Sequence, residues 1–547
     1  MSIKDLLGKK ILVFDGAMGT MLQNRGLKTG EIPELYNLHK KQIVFEIHKK
    51  YIDAGADIIT TNTFGANEFK LNDTEHSVEE IVKGAVEIAK EAAGEKFVAL
   101  DIGPTGKLMA PFGDLTFEKA YDVFKRQIIA GKEAGCDLVL IETMSDMYEA
   151  RAAILAAKDN SDLPIFCTMT FGEYGRTLNG TDPLTMVVGL EALGVDALGI
   201  NCSLGPDQIM PFVNEVLKYS SIPVMVQPNA GLPKVENNIV TYDINPKDFA
   251  KSIKTLAEKG VSILGGCCGT DERFIYEVKK TLSNVKPKSI NIKEFAVVSS
   301  ATKTVILDEG IKIIGERINP AEKDELKEAI LDNDIGYILD EALTQKDDEA
   351  DILKVNVGLP EIDEKKVMID CIKELQAVAA IPLQIDSSDK NVIEAAVRVY
   401  NGKPIINYVN GNVETMDAIL PIAKKYGACL IAGTVDEEGI PSTVEERVEI
   451  AKRIIKKSEE YGIPKKNILI DCLVSIESDK EQQVMETLKA IKIIKEKFGV
   501  KTTLEISNIS YLKMALTMGL DVPSIDPSSE EAMGCIKAFK LLLNEVK

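Results

Sequence analysis

Cys267 and Cys268, in the stretch Gly265-Gly266-Cys267-Cys268-Gly269-Thr270, are adjacent thiols between glycines at the end of an apolar run. Packing gives little reason for such a pair, and coordination gives a good one. Consecutive side chains on a regular strand point to opposite faces, so both sulfurs reach one ion only where the strand breaks, which the glycines permit. Two thiolates do not complete a zinc site. A third cysteine, Cys202, ends another apolar run, Ala197–Cys202. Three sulfurs with an open fourth position describe a reactive zinc centre, one that takes an incoming thiol and holds it as the nucleophilic thiolate. Any one of these cysteines alone reads better as a small buried residue; three at neighbouring strand ends do not.

The elements that would bring them together are legible as a rhythm. Between residues 11 and 270, eight short runs rich in Val, Ile and Leu alternate with longer amphipathic stretches: Ile11–Asp15, Ala56–Asn62, Phe97–Asp101, Leu138–Glu142, Ile165–Thr170, Ala197–Cys202, Val224–Gln227 and Ser262–Gly266. Eight βα units close a TIM barrel, in which every strand's C-terminal end lies on one rim. An open doubly wound sheet competes, but no GxGxxG opens the first helix. The rhythm breaks at about 284–299, read as a linker, and then resumes with Lys312–Gly315, Ile352–Asn356, Leu383–Asp386, Ile405–Asn407, Cys429–Ala432, Ile468–Asp471, Thr503–Ile506 and Ser524–Asp526. The expected architecture is therefore α/β, two (β/α)8 barrels in tandem, 1–299 and 300–547.

At 547 residues the chain has length for two such barrels of roughly 250 residues each. Hydrophobic residues at 45% exclude a disordered chain, and a formal charge of −20 argues against nucleic-acid or anionic-membrane partners. With no long apolar segment and nine scattered cysteines, the expected location is cytoplasmic. The three histidines, His39, His48 and His76, leave the second half without imidazole chemistry.

The first half resembles the homocysteine S-methyltransferase domain in Asp15-Gly16-Ala17-Met18-Gly19-Thr20, Thr61-Asn62-Thr63-Phe64, Asn201-Cys202-Ser203 and the cysteine-pair stretch. The resemblance implies zinc on Cys202, Cys267 and Cys268, with homocysteine sulfur as fourth ligand. It also implies that Asp15 and Glu142, with backbone groups near Gly16 and Asn62, hold the substrate's amino and carboxylate ends. An acidic pair is what an ammonium-bearing substrate needs, although each carboxylate alone could cap a helix.

The second rim carries Asn319, Asn356, Asp386, Asn407, Asp471 and Asn508, groups suited to a flat heterocycle with several donors and acceptors. Singly, each also suits a helix cap. Gly315-Glu316-Arg317-Ile318-Asn319-Pro320, Asn356-Val357-Gly358-Leu359-Pro360, Gln384-Ile385-Asp386-Ser387 and Ser507-Asn508 are similar to the pterin-binding family, above all to the methyltetrahydrofolate barrel of cobalamin-dependent methionine synthase. That resemblance implies pterin contacts from Asn319, Asp386, Asn407 and Asp471, with Asn508 as the catalytic residue near N5. Departures are Lys354 where an acid is usual, Tyr408 after Asn407 where a small residue is usual, Cys472 after Asp471 where proline is usual, and the run Leu504-Glu505-Ile506-Ser507 before Asn508, which lacks the usual glycine. The implied reaction is methyl transfer from 5-methyltetrahydrofolate through cobalamin to zinc-activated homocysteine. A cobalamin domain of this family carries Asp-x-His-x-x-Gly, and no histidine follows His76, so cobalamin is expected on a further domain or a separate corrinoid protein. The alternative is a corrinoid-independent homocysteine methyltransferase whose second barrel only binds a pterin or docks a partner.

Overall fold

The computed structural model describes residues 2–236, 239–321, 323–473 and 481–545. The chain divides into two compact units, 1–293 and 294–547.

In the first unit the apolar runs form β1 (Leu12–Val13), β2 (Ile58–Thr60), β3 (Phe97–Ile102), β4 (Leu138–Met144), β5 (Ile165–Met169), β6 (Ala197–Asn201), β7 (Val224–Gln227) and β8 (Ile263–Leu264). They pair in parallel in the order β1-β8-β7-β6-β5-β4-β3-β2, and a parallel bridge between Phe14 and Ile58 brings the two ends of the sheet together. The strands are buried on both faces and the helices lie between them in sequence, as a parallel barrel requires. Local chemistry agrees with this. The helix Phe117–Ala134 starts where Thr116 accepts from the Lys119 N–H and stops at Gly135, whose φ of 95° ends the α conformation. Close approach of β6 to β7 needs Gly199, since a Cβ there would lie 1.7 Å from the Met225 carbonyl oxygen. Below the strands, Ile3 enters the core of Leu12, Phe14, Ile58, Leu138 and Phe166, with Leu6 and Leu7 packed against it. A two-stranded antiparallel pair, Lys234–Glu236 with Ile239–Thr241, follows β7 and has no counterpart in the sequence reading.

The second unit contains a closed barrel of β9 (Ile314–Ile318), β10 (Ile352–Val355), β11 (Leu383–Asp386), β12 (Ile405–Asn410), β13 (Cys429–Gly433), β14 (Ile468–Asp471), β15 (Lys501–Glu505) and β16 (Val522–Ile525), each strand beside its sequence neighbour and β16 beside β9. Its floor is an antiparallel hairpin, Val297–Ser299 with Thr304–Ile306, in sequence read as the end of a linker. Ala296, Val298, Val305 and Leu307 pack against the first residues of the barrel strands, among them Ile314, Ile352, Ile405 and Val522. Ser299 and Lys403 exchange both backbone N–H···O bonds at 3.0 Å, tying the hairpin to the barrel. Both units are thus eight-stranded parallel barrels, as the rhythm of the sequence implies.

Candidate active sites on the barrel rims

The chain leaves β6 sharply. Cys202 and Ser203 have φ of 61° and 59°, a left-handed conformation that costs a non-glycine residue about 1 kcal/mol or more. Hydrogen bonds hold it there: the Cys202 N–H donates to the Gln227 carbonyl at 2.9 Å and the Leu204 N–H to the Cys202 carbonyl at 2.7 Å. After β8 the Gly266 N–H donates to the Asp15 carbonyl, the Cys267 N–H to the Pro228 carbonyl and the Ala230 N–H to the Cys268 carbonyl. Thr270, fully buried, clamps this turn by donating from Oγ1 to the Cys267 carbonyl at 2.7 Å while accepting from the Ala17 N–H at 3.2 Å. The motif glycines make room for it. A Cβ on Gly266 would lie 2.4 Å, and one on Gly16 2.7 Å, from Thr270 Oγ1.

These turns bring the half-buried Cys202, Cys267 and Cys268 together, with all three Sγ atoms within 4.8 Å of one another and Cys202 to Cys268 at 3.9 Å. Four bonds of about 2.3 Å at tetrahedral angles would set sulfurs roughly 3.8 Å apart, so the spacing fits a zinc-sized ion. Among the described residues no other trio of His, Cys, Asp or Glu converges in this way. The thiols divide their protons unequally. Hydrogen bonds from Cys202 and Cys267, with a further one from the Tyr242 phenol, hold Cys268 as the thiolate, down at about 3.

The sulfurs face a cavity of about 240 Å³ that Asp15, Glu34, Asp101 and Glu142 also line. Burial pushes Asp15 up to about 8 against the pull of the Thr60 N–H, 2.8 Å away, and Glu142 adds to the rise. Glu142 is likewise pushed up to about 8, by burial and then by Cys202. Asp101 is raised by burial and by the neighbouring Glu142 and Asp15, and its Oδ1 has no hydrogen-bond partner. Carboxylates crowded out of water around one cavity are stabilised by a cation entering it. The sequence reading pairs Asp15 with Glu142 and treats Asp101 only as a strand end; its position at the close of β3 on the same rim was the available signal. Asn62 turns inward, its Nδ2 donating to the Pro33 carbonyl at 2.9 Å and to Asn37 Oδ1 at 3.1 Å. It braces the cavity wall through its side chain. Asn201 does similar work below Glu142: Oδ1 accepts from the Thr143 N–H and Thr168 Oγ1, and Nδ2 donates to Thr143 Oγ1, all at 2.8 Å.

On the second barrel Asp386 and Asn407 are paired across β11 and β12, and Asp386 hydrogen-bonds the side chains of Asn356 and Asn407. Burial raises Asp386 and pushes Asp471 up to about 7; Asp471 Oδ1 also accepts from the Leu473 N–H at 2.9 Å. Asn319 is buried at the end of β9, where its Oδ1 accepts from the Ala321 N–H. Asn508 is exposed and caps the helix Ile509–Thr517, accepting from the Tyr511 N–H at 3.0 Å. Two departures noted in the sequence meet here: Lys354 Nζ lies 2.7 Å from Glu505 Oε2 and 3.7 Å from Asp386 Oδ2. Cys472 is buried, and its carbonyl, with that of Leu473, accepts from the buried Arg447 guanidinium.

The two barrels thus carry different rims, one gathering thiols and carboxylates and one gathering carboxylates and amides. Residues 12–282, in the first barrel, match the model of the homocysteine S-methyltransferase family, and residues 315–534, in the second, match that of the pterin binding enzymes. Across 93% of its length it is 30% identical to methionine synthase of Mycobacterium tuberculosis and 30% identical to methionine synthase of Mycobacterium leprae, spanning 45% of each of those proteins. It thus covers about half the length of these curated relatives. The crystal structure of the homocysteine methyltransferase MmuM from Escherichia coli in its metallated form aligns with 50% of this chain and 96% of its own, at 22% identity and a TM-score of 0.43.

Proposed function

We propose that the chain provides the homocysteine and folate barrels for methionine synthesis, moving a methyl group from N5 of 5-methyltetrahydrofolate to homocysteine by way of a cobalamin carried on another domain or protein. The products are methionine and tetrahydrofolate. The observation that carries this reading is the convergence of three sulfurs within 4.8 Å on the rim of a homocysteine S-methyltransferase barrel.

Cys202, Cys267 and Cys268 would hold zinc, which as a Lewis acid keeps a bound thiol deprotonated near neutral pH. Around that thiol the protein's own groups do the positioning. Asp15 and Glu142, joined by Asp101, receive the substrate ammonium; backbone groups near Gly16 and Asn62 face its carboxylate. The raised proton affinity of the carboxylates follows from burial, and an arriving ammonium returns them to the ionised form. In the second barrel Asn319, Asp386, Asn407 and Asp471 bind the pterin, carboxylates accepting from ring N–H groups and amides serving either sense. A methyl on an amine is a poor electrophile, so N5 gains a proton before or during transfer. The second lone pair of Asn508 Oδ1, beyond the one spent on the helix cap, is available to that protonated nitrogen.

Two assays on the purified chain test this: methyl transfer from methylcobalamin to homocysteine, and from 5-methyltetrahydrofolate to free reduced cobalamin. Both are expected, together with about one zinc per chain that is lost from Cys202→Ala, Cys267→Ala and Cys268→Ala. Zinc retained by all three variants would remove the metal assignment, and absence of the second transfer would remove the folate half of the reading.

A further inference from the structure

The Lys354–Glu505 pair crosses the mouth of the second barrel. β10 and β15 are not neighbours; β9 and β16 lie between them on one side and the remaining four strands on the other. An ammonium therefore projects from one wall of the rim to a carboxylate on a facing wall, where barrel ligands sit. Lys354 is only 4% exposed, and the charged groups facing it are Glu505, Asp386 and Glu316. Its two carboxylate neighbours on the rim differ in character. Asp386 is held by Asn356 and Asn407 and its side chain is 14% exposed; the Glu505 side chain, on the last residue of β15, is 46% exposed and has open solvent to turn into.

We propose that Lys354 is a specificity-determining residue that reads the lactam edge of a bound pterin, donating to the ring carbonyl while Asp386 accepts the adjacent ring N–H, with Glu505 as the counter-ion that swings aside. The inference rests on the pterin reading above and adds to it the ring edge that is recognised. Lys354 Nζ and Asp386 Oδ2 are 3.7 Å apart, a donor and an acceptor side by side. A lactam presents the complementary acceptor and donor on neighbouring ring atoms, so both protein groups find partners without either charge being left bare. A ring carrying an amino group in place of the carbonyl turns a donor toward the ammonium and leaves it unmatched. Glu505 is the partner that can leave, because solvent rehydrates it at little cost whereas Asp386 is buried and bonded.

The test measures equilibrium binding of tetrahydrofolate and of its 4-amino counterpart to the full chain. The wild type is expected to prefer the 4-oxo ring by roughly a hundredfold. Lys354→Met should bring that ratio close to one, each variant serving as its own control because both ligands meet the same fold. Glu505→Gln, which keeps the ammonium but weakens its resident partner, should retain the preference and bind the 4-oxo ring several-fold more tightly. A Lys354→Met protein with the wild-type ratio overturns the inference and leaves the pterin reading standing; a wild type that binds neither ring overturns both. Should Lys354→Met fail to fold, weaker 4-oxo binding by Glu505→Gln overturns the inference by itself.

Discussion

Replacing Thr270 with valine isolates what positions the cysteine turn, because it removes a hydroxyl and keeps the shape. Thr270 Oγ1 serves two backbone groups at once, the Cys267 carbonyl at 2.7 Å and the Ala17 N–H at 3.2 Å, and the residue is fully buried, so water does not replace it. The Ala17 and Cys267 backbones are half-buried and the Cys267 carbonyl keeps the Thr270 N–H at 3.1 Å, so the Ala17 N–H is the group that loses its partner, at a cost of about 1–2 kcal/mol. For a barrel of this size that is a fall in Tm of roughly 2–8 °C. Because the same hydroxyl fixes the direction of Cys267, zinc affinity should also drop, by about 10–100-fold. The assays are a thermal scan and a zinc competition against a chromophoric chelator, each run beside Thr270→Ser, which keeps the hydroxyl and should lie close to wild type in zinc affinity. If Thr270→Val matches wild type in both measurements while remaining folded, the clamp is not what holds the turn and the reasoning fails.

Gly266→Ala places a Cβ 2.4 Å from Thr270 Oγ1 and should cost about 1–3 kcal/mol by overpacking, along with zinc; a normal Tm with normal zinc content would contradict it. Asp101→Asn should raise KM for homocysteine by roughly tenfold or more through the loss of a buried ammonium partner, yet leave methylation of an amine-free thiol unchanged. Equal effects on both thiols would argue for a general structural role. Asp471 supplies a pH dependence. Burial raises its folded pKa from the ordinary 3.8 to about 7, so the unfolded chain releases this proton first and stability falls as pH rises through that interval. Denaturation of the second barrel followed from pH 4 to pH 8 should show a decline that Asp471→Asn removes, and a profile unaltered by the substitution would refute the assignment.

The strand order and the thiol cluster were legible because both follow from short-range signals. A parallel barrel sends all its C-terminal strand ends to one rim, so Cys202 and Cys267 could be placed together from run lengths alone. Asn508 illustrates the limit of residue type as evidence, since the same side chain that suits a pterin also caps Ile509–Thr517. The Lys354–Glu505 pair was visible only as two separate departures, because its partners lie 151 residues apart and meet across the barrel and not along a ladder. Nor did the hairpin of Val297–Ile306 announce itself. Its strands are three residues each, joined by Ser300-Ala301-Thr302-Lys303, a composition that reads as loop; what makes it ordered is the apolar floor it covers.

That floor fixes where the second barrel can be cut. A fragment that begins with β9 at Ile314 would uncover Ile314, Ile352, Ile405, Leu469 and Val522 together, and strip Lys403 of its backbone partner Ser299. One that begins at Glu294 keeps the hairpin and its whole apolar underside. For expression, domain exchange or transplantation, the heritable unit is thus the barrel with the hairpin that precedes it, and the segment of residues 297–306 that looks like a tether is part of the cargo.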